Sequence, residues 1–343
     1  NLVRSRNTNS SFYLKPCITW TLITSASFTA RYCPSGFLWD VAGSIGFVKD
    51  EKYEKLILAM LCSKVAVYTL NVLNPTINTN IENVEAIPIG NFAEKQRKDI
   101  NSFVDDSFLI SQKEWNSRET SWDFLQNELI RIKAQDLEES YDLYQAYWKN
   151  KFFQLHKNEE ELNRQFIEIY GLQEELTPDV PLEDITILKE ETKILNNQLV
   201  FQADEVFQQF MSYAVGCMFG RYSLDKEGLI LANQGETLED YLSKVGKSKD
   251  EVAFLPDEDN IIPILDDEWF EDDIVNRFNE FLKVTFGKSN FEKNLAFVEE
   301  CLGKDIRKYF VKDFYKDQVK RYKTRPIYWM FSSPKGSFNV LIY

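Results

Sequence analysis

The sequence predicts an α+β fold: a small mixed β/α module over residues 1–90, a helical spacer with one long helix over 91–175, a linker over 176–198, and a mainly helical C-terminal domain over 199–343. Three observations predict it. Residues 12–48 mix β-branched and aromatic residues with Ser, Thr and Gly, the composition of short strands joined by polar turns. Residues 91–170 hold few glycines or prolines and carry aromatics at three and four spacing, a helical signal. Phe207, Phe210, Met211, Ala214, Val215 and Met218 recur at helical spacing, which predicts one buried face of a helix within Leu199–Tyr222.

In chain order, the strand candidates run through Ile18, Trp20, Leu22 and Ile23, then Phe28, Ala30 and Tyr32, then Phe37, Trp39 and Val41. Tyr53 to Leu73 is apolar almost all round, which predicts a helix buried on several sides. It should stop at Asn74-Pro75, because proline cannot continue it. Thr76 to Ile89 reads as extended, with Ile87-Pro88-Ile89 as a module boundary. Asp136 to Gly171 is long enough for one arm-like helix, with Gly171 as its C-cap. Pro178 and Pro181 mark the linker, and Pro326 to Tyr343 reads as strand.

With 44% hydrophobic and 27% charged residues, a disordered tail or a fibrous protein is excluded. The polar start lacks the apolar core of a signal peptide. The apolar stretch near Leu56–Leu73 is broken by Ser63, Lys64, Thr69 and Asn71, so neither a leader nor a membrane span is expected. His156 is the only histidine, which excludes a multi-histidine metal site; within its charged surroundings it reads as exposed or capping. Cys17, Cys33, Cys62, Cys217 and Cys301 form no CxxC pair and read as reduced, mostly buried thiols of a cytoplasmic protein.

The net charge of −14 is unevenly placed. Residues 1–90 hold eight basic and six acidic residues, a balance of +2, which leaves 91–343 at −16. Only the first part has a balance that would not repel nucleic acid. Glu251 to Val275 has ten acids and no base, and Lys304 to Arg325 has nine bases and three acids. These two stretches are expected to face each other or to form solvated faces.

No glycine-rich phosphate loop, HExxH or Gly-x-Ser-x-Gly elbow occurs. Asn74-Pro75-Thr76 lacks the second proline and the aromatic of an amino-methyltransferase motif, and reads as a helix stop. Asp179, Glu191 and Lys193 loosely fit a PD-(D/E)xK nuclease pattern, set against a linker aspartate and a solvated helix face.

Several strings resemble one family. They are Lys15-Pro16-Cys17-Ile18-Thr19-Trp20, Arg31-Tyr32-Cys33-Pro34-Ser35-Gly36-Phe37, Leu61-Cys62-Ser63-Lys64 leading to Leu73-Asn74-Pro75-Thr76-Ile77-Asn78, Thr120-Ser121-Trp122-Asp123-Phe124, Tyr213 to Tyr222, and Arg325-Pro326-Ile327-Tyr328-Trp329. In this order they resemble the PglX family, the adenine-specific DNA methyltransferases of BREX phage-defence systems, and more distantly the type IIG restriction-modification enzymes. The resemblance implies that the chain is the C-terminal portion of such an enzyme, and that residues 1–90 are the closing part of a target recognition domain. It implies an upstream domain that binds S-adenosylmethionine and methylates adenine N6, so no catalytic, cofactor or metal residue is assigned in this chain. Double-stranded DNA is the implied partner, with other BREX proteins or phage-encoded inhibitors, and no membrane.

Reading DNA needs donors and acceptors for base edges and cations for phosphates. Arg4, Arg6, Lys15, Ser27, Arg31, Tyr32, Ser35, Lys64, Thr76 and Asn78 supply that chemistry in the first module, with Ser25, Thr29 and Asn80 beside them. Arg31 is the leading candidate, set against a surface pair with Asp40. Lys320, Arg321, Lys323 and Arg325 form a second candidate backbone contact, set against pairing with the acidic stretch.

Overall fold

The structure, a computed structural model, describes residues 9–23, 27–40, 42–336 and 338–343. The chain divides into two compact units, residues 1–110 with 153–185, and residues 111–152 with 186–343.

In the first unit a three-stranded antiparallel sheet has the order β2-β1-β3, with β1 at Cys17–Thr21, β2 at Ala30–Cys33 and β3 at Gly43–Gly46. Residues 34–40, expected to hold a strand, are irregular. Ile18, Trp20 and Ala30 lie on one face of the sheet and are buried. Against them pack α1 (Glu54–Leu61) and α2 (Lys64–Leu73) through Leu56, Met60, Val65 and Leu70.

The single helix expected over 53–73 is thus two helices, bent by 74°. Ser63 makes the break. Its backbone is extended and its hydroxyl oxygen accepts from the Ala66 N–H, capping α2. Thr76 to Ile89, expected to be extended, contains α3 (Ile81–Glu85), where the Asn83 side chain accepts from the Asn80 N–H at 3.0 Å. This local side-chain bond offsets the weak helix propensity of the segment.

Three more helices follow: α4 (Glu94–Asn116), α5 (Glu128–Arg131) and α6 (Leu137–Tyr170). Ile100, Val104, Phe166 and Ile167 from α4 and α6 complete the first core. Gly171, at φ +66°, ends α6 as expected, and the Leu172 N–H turns back to the Ile167 carbonyl at 3.0 Å.

The second unit opens its C-terminal segment with a hairpin of β4 (Thr192–Leu195) and β5 (Gln198–Phe201), whose two turn residues, Asn196 and Asn197, both have positive φ. Next comes α7 (Ala203–Met218), where one buried face was expected. All residues from Val206 to Met218 are buried except Gln208 and Gln209, so the helix is enclosed on nearly every side.

The remaining elements are α8 (Leu238–Val245), β6 (Ile261–Leu265), α9 (Ile274–Phe286), α10 (Phe291–Leu302) and α11 (Ile306–Tyr309). The last passes through a π-helical turn, Phe310–Phe314, into α12 (Tyr315–Arg321). Strands β7 (Trp329–Ser332) and β8 (Phe338–Ile342) then join β6 in an antiparallel sheet of order β6-β8-β7. Phe210 anchors the aromatic core, 6.3 Å from Phe278, 5.8 Å from Phe281 and 6.3 Å from Phe286, centroid to centroid. Small antiparallel sheets with predominant helix make the fold α+β. No single described helix is long and apolar enough to cross a membrane.

Candidate nucleic-acid interface

The outward face of the β2-β1-β3 sheet gathers several of the residues expected to meet DNA. Directly paired residues project to the same face of a sheet, so Thr19, Arg31 and Ile45 share the face opposite the buried Ile18 and Trp20. Arg31 is exposed, and no described acidic residue pairs with it. Asp40, its alternative partner, instead accepts from the Ala42 N–H at 2.9 Å and the Gly43 N–H at 3.3 Å, closing its own turn.

At one end of β1 the Gly36 N–H donates to the Leu14 carbonyl at 3.0 Å, which brings exposed Lys15 and Ser35 onto neighbouring chains. Leu14 has φ +61° and Gly36 φ +100°, so this corner is a left-handed turn on both chains. At the other end Ile23 bridges to Asn78, and the Thr79 N–H donates to the Leu22 carbonyl at 2.8 Å. Only Cys17–Thr21 between these two ends is regular strand, a length of about 15 Å at the rise of a strand.

Other expected contacts are engaged inside the unit. Tyr32 points to the opposite face from Arg31, edge-on to Phe108 at 5.8 Å, and burial raises the pKa of its hydroxyl. Lys64 begins α2 and donates through Nζ to the Asp179 carbonyl at 2.5 Å, while its N–H donates to Asn163 at 2.9 Å. The Thr76 hydroxyl donates to Asn74 at 2.8 Å, and Asn74 donates to the Asn78 carbonyl at 2.5 Å. Ser27 is exposed. Arg4, Arg6 and Ser25 lie outside the described residues.

Four aromatics not assigned from sequence stand beside this face. Tyr13 and Trp39 are 5.5 Å apart, Trp39 and Phe47 5.8 Å, and Phe12 and Phe47 4.6 Å, with the Lys15 ammonium 5.4 Å over Phe12. Such rings beside cations can stack on bases. The signal in the sequence was aromatic residues flanking the strands, which strand patterning alone assigns to a core.

In the second unit Lys320 pairs with Glu205 at 3.2 Å, and Arg321 is partly buried. Lys323 and Arg325 are exposed. The acidic and basic stretches do meet, at one ion pair: Arg307 donates to Asp273 at 2.6 Å and to the carbonyls of Leu265 and Asp267 at 3.2 Å. Glu191 of the nuclease-like pattern is buried and held by Arg118 and Gln209, on β-hairpin flank rather than a solvated helix face. No cluster of metal-ligating side chains occurs among the described residues. His156 is partly buried, with Nε2 2.7 Å from the Val180 carbonyl. Of the cysteines, Cys17 and Cys217 are buried and Cys33 and Cys301 partly so, while Cys62, exposed as a residue, turns its thiol inward to donate to the Ala30 carbonyl at 3.2 Å.

Two of the family-like strings meet in the second unit. Trp122 and Phe124 join Glu119, Arg221, Tyr222 and Tyr322 around a cleft of about 210 Å³. Arg221 donates to Tyr222 and Tyr343, each at 3.1 Å, so these strings build packing around a partly buried guanidinium.

No family model matches the chain. The adenine-specific methyltransferase PglX of Lacticaseibacillus casei (strain Zhang) is 35% identical over 357 aligned positions, covering 99% of this chain and 28% of PglX. The adenine-specific methyltransferase BrxX of Escherichia coli O9:H4 (strain HS) is 34% identical over 355 positions, covering 98% of this chain and 29% of BrxX. The chain therefore spans less than a third of the length of these curated relatives. By sequence it is a relative of the PglX and BrxX adenine-specific methyltransferases, matched along nearly all of its own length to a little over a quarter of theirs.

Proposed function

We propose that this chain is the C-terminal portion of an N6-adenine-specific, S-adenosylmethionine-dependent DNA methyltransferase acting in the cytoplasm in BREX phage defence, and that it serves target recognition and partner docking. The observation that carries the reading is the outward face of the β2-β1-β3 sheet, where exposed Arg31 lies between the Lys15/Ser35 corner and the Ile23/Asn78 end. A charged fork flanked by hydroxyl and amide groups can contact base edges and phosphates along one groove.

The cofactor belongs to the proposed upstream domain. Every sheet among the described residues is antiparallel, so none offers the parallel strand-to-helix switch point at which an adenosine-type cofactor is usually held. No catalytic step is assigned to this chain.

The test uses the full-length enzyme with Lys15→Ala and Arg31→Ala. Duplex affinity should fall, and the slope of log affinity against log salt should flatten by about one per phosphate contact removed. Unchanged affinity, slope and methylated sequence in the double variant would remove the assignment.

A second reading, a protein-interaction scaffold without DNA contact, is favoured by charge. The first unit, with residues 91–110 and 153–185 included, holds thirteen basic and nineteen acidic residues, a balance of −6. It predicts no duplex binding by this chain at low salt, with retention of other defence proteins.

A further inference from the structure

The sheet of the second unit has an outer face that breaks the usual pattern. Antiparallel sheets with one open face normally turn polar residues outward. Here the register places Trp329, Ile342 and Ile261 on one face, with Phe331, Val340 and Pro263, and then Phe338 and Leu265. Every one of them is apolar. The opposite face holds Leu341, Ile262 and Ile264, each fully buried, so the core lies on that side. On this second face Trp329 is 68% exposed, Phe331 58%, Phe338 45% and Ile261 40%, while Val340 and Ile342 are half-buried and Pro263 and Leu265 are covered, so its open part is the β7 side with Phe338 and Ile261.

The end of this face at Leu265 and Phe338 runs into the acidic loop 266–272. Phe270 of that loop sits 6.5 Å from Phe338, which ties the loop to the sheet. Trp269 beside it is 73% exposed. Asp266, Asp267, Glu271 and Asp272 make no ion pair among the described residues, since Arg307 reaches Asp273 and only the backbone of Asp267. Across the sheet, Lys335 is the one cation in the connection between β7 and β8.

We infer that this face docks a basic, apolar protein segment: aromatic or aliphatic side chains against Trp329, Phe331 and Phe338, with lysine or arginine beside loop 266–272. Charge complementarity selects the occupant. Nucleic acid and an acidic protein would both be repelled by the loop, and a second copy of this chain would bring a further net charge of −14. Apolar contact supplies the holding energy, and the carboxylates set the partner and the rate of encounter. The inference does not depend on the first unit meeting DNA; it gives the docking part of the proposed function a location and a partner chemistry.

The test pans this chain against a random peptide library displayed on phage, followed by affinity measurement with the selected peptides. Expected is enrichment of peptides that combine aromatic or branched residues with clustered lysine or arginine. Their affinity should fall about tenfold or more in Trp329→Ser/Phe331→Ser. It should also fall, and lose most of its salt dependence, in Asp266→Asn/Asp267→Asn/Glu271→Gln, a surface change that leaves the core intact. Enriched peptides of neutral or acidic character, or affinities untouched by both variants, would overturn it. So would sedimentation showing that the face pairs two copies and that Phe331→Ser dissociates them. DNA binding by the first unit is measured separately, so failure of either reading leaves the other standing.

Discussion

Gly216 shows how tightly a single residue is fixed. A Cβ there would lie 2.4 Å from Tyr222 Cδ2 and 2.8 Å from Cε2, and Tyr222 cannot withdraw because it stacks on Tyr213 at 5.2 Å and meets Phe124 at 5.3 Å. Gly216→Ala should therefore destabilise the second unit by about 1–3 kcal/mol, the usual cost of overpacking. Urea unfolding checks this, and an unchanged midpoint would show that the ring has room. The glycine stood in the family-like string, but its reason lay in a ring that packs back onto the same helix.

Glu159 is a second residue with a measurable consequence. Burial, and then the charge of Asp184, push its carboxyl from 4.5 up to about 7. The folded state thus holds a proton that the unfolded chain releases at lower pH. Its contribution is unaffected below about pH 4.5, becomes destabilising as pH rises, and levels off above about 7. Glu159→Gln should raise stability at pH 8 by about 1–3 kcal/mol and leave it unchanged near pH 4. Equal effects at both pH values would contradict the cause given.

At the scale of elements, periodicity located α6, α7 and the terminal strands, because each is long or has a consistent apolar spacing. It missed the break at Ser63 and the short helix α3. Both depend on side chains that bond to nearby N–H groups and override the local apolar pattern. Ser63→Ala should cost about 0.5–2 kcal/mol through loss of the cap on α2. Ser63→Thr, which keeps the hydroxyl at this buried position, should preserve most of that stability, and thermal unfolding of the pair separates a cap from mere packing. Arg307 was legible only as one of nine bases. The contact that distinguishes it is to Asp273, which is fully buried and also caps α9 by accepting from the Asn276 N–H at 2.9 Å. Arg307→Ala should leave that carboxylate buried without its cation and destabilise by about 3–5 kcal/mol. Denaturant unfolding would show it as a lowered midpoint.

At the scale of the molecule, charge read along the chain differs from charge read in the fold. The first ninety residues balance at +2, yet the unit they fold into balances at −6 once residues 91–110 and 153–185 are included. No composition window could have joined segments so far apart. The candidate interface was legible as chemistry, in Arg31 and Lys15, but not as a surface, because register and burial decided which side chains face outward. The acidic background implies few phosphate contacts: this chain should bind duplex DNA with a log–log salt slope of about −2 to −4. A slope of zero in a titration would favour the scaffold reading. Finally, the break at Ser63 bears on how a cell handles the nascent chain. Uninterrupted, the apolar stretch would offer export machinery a helix of membrane-spanning length. Divided into eight and ten residues, it offers two pieces of about 12 and 15 Å, against a hydrocarbon layer of about 30 Å. The cap at Ser63, together with Lys64, Thr69 and Asn71 along the stretch, thus keeps it a core-forming pair of helices, each too short to span such a layer.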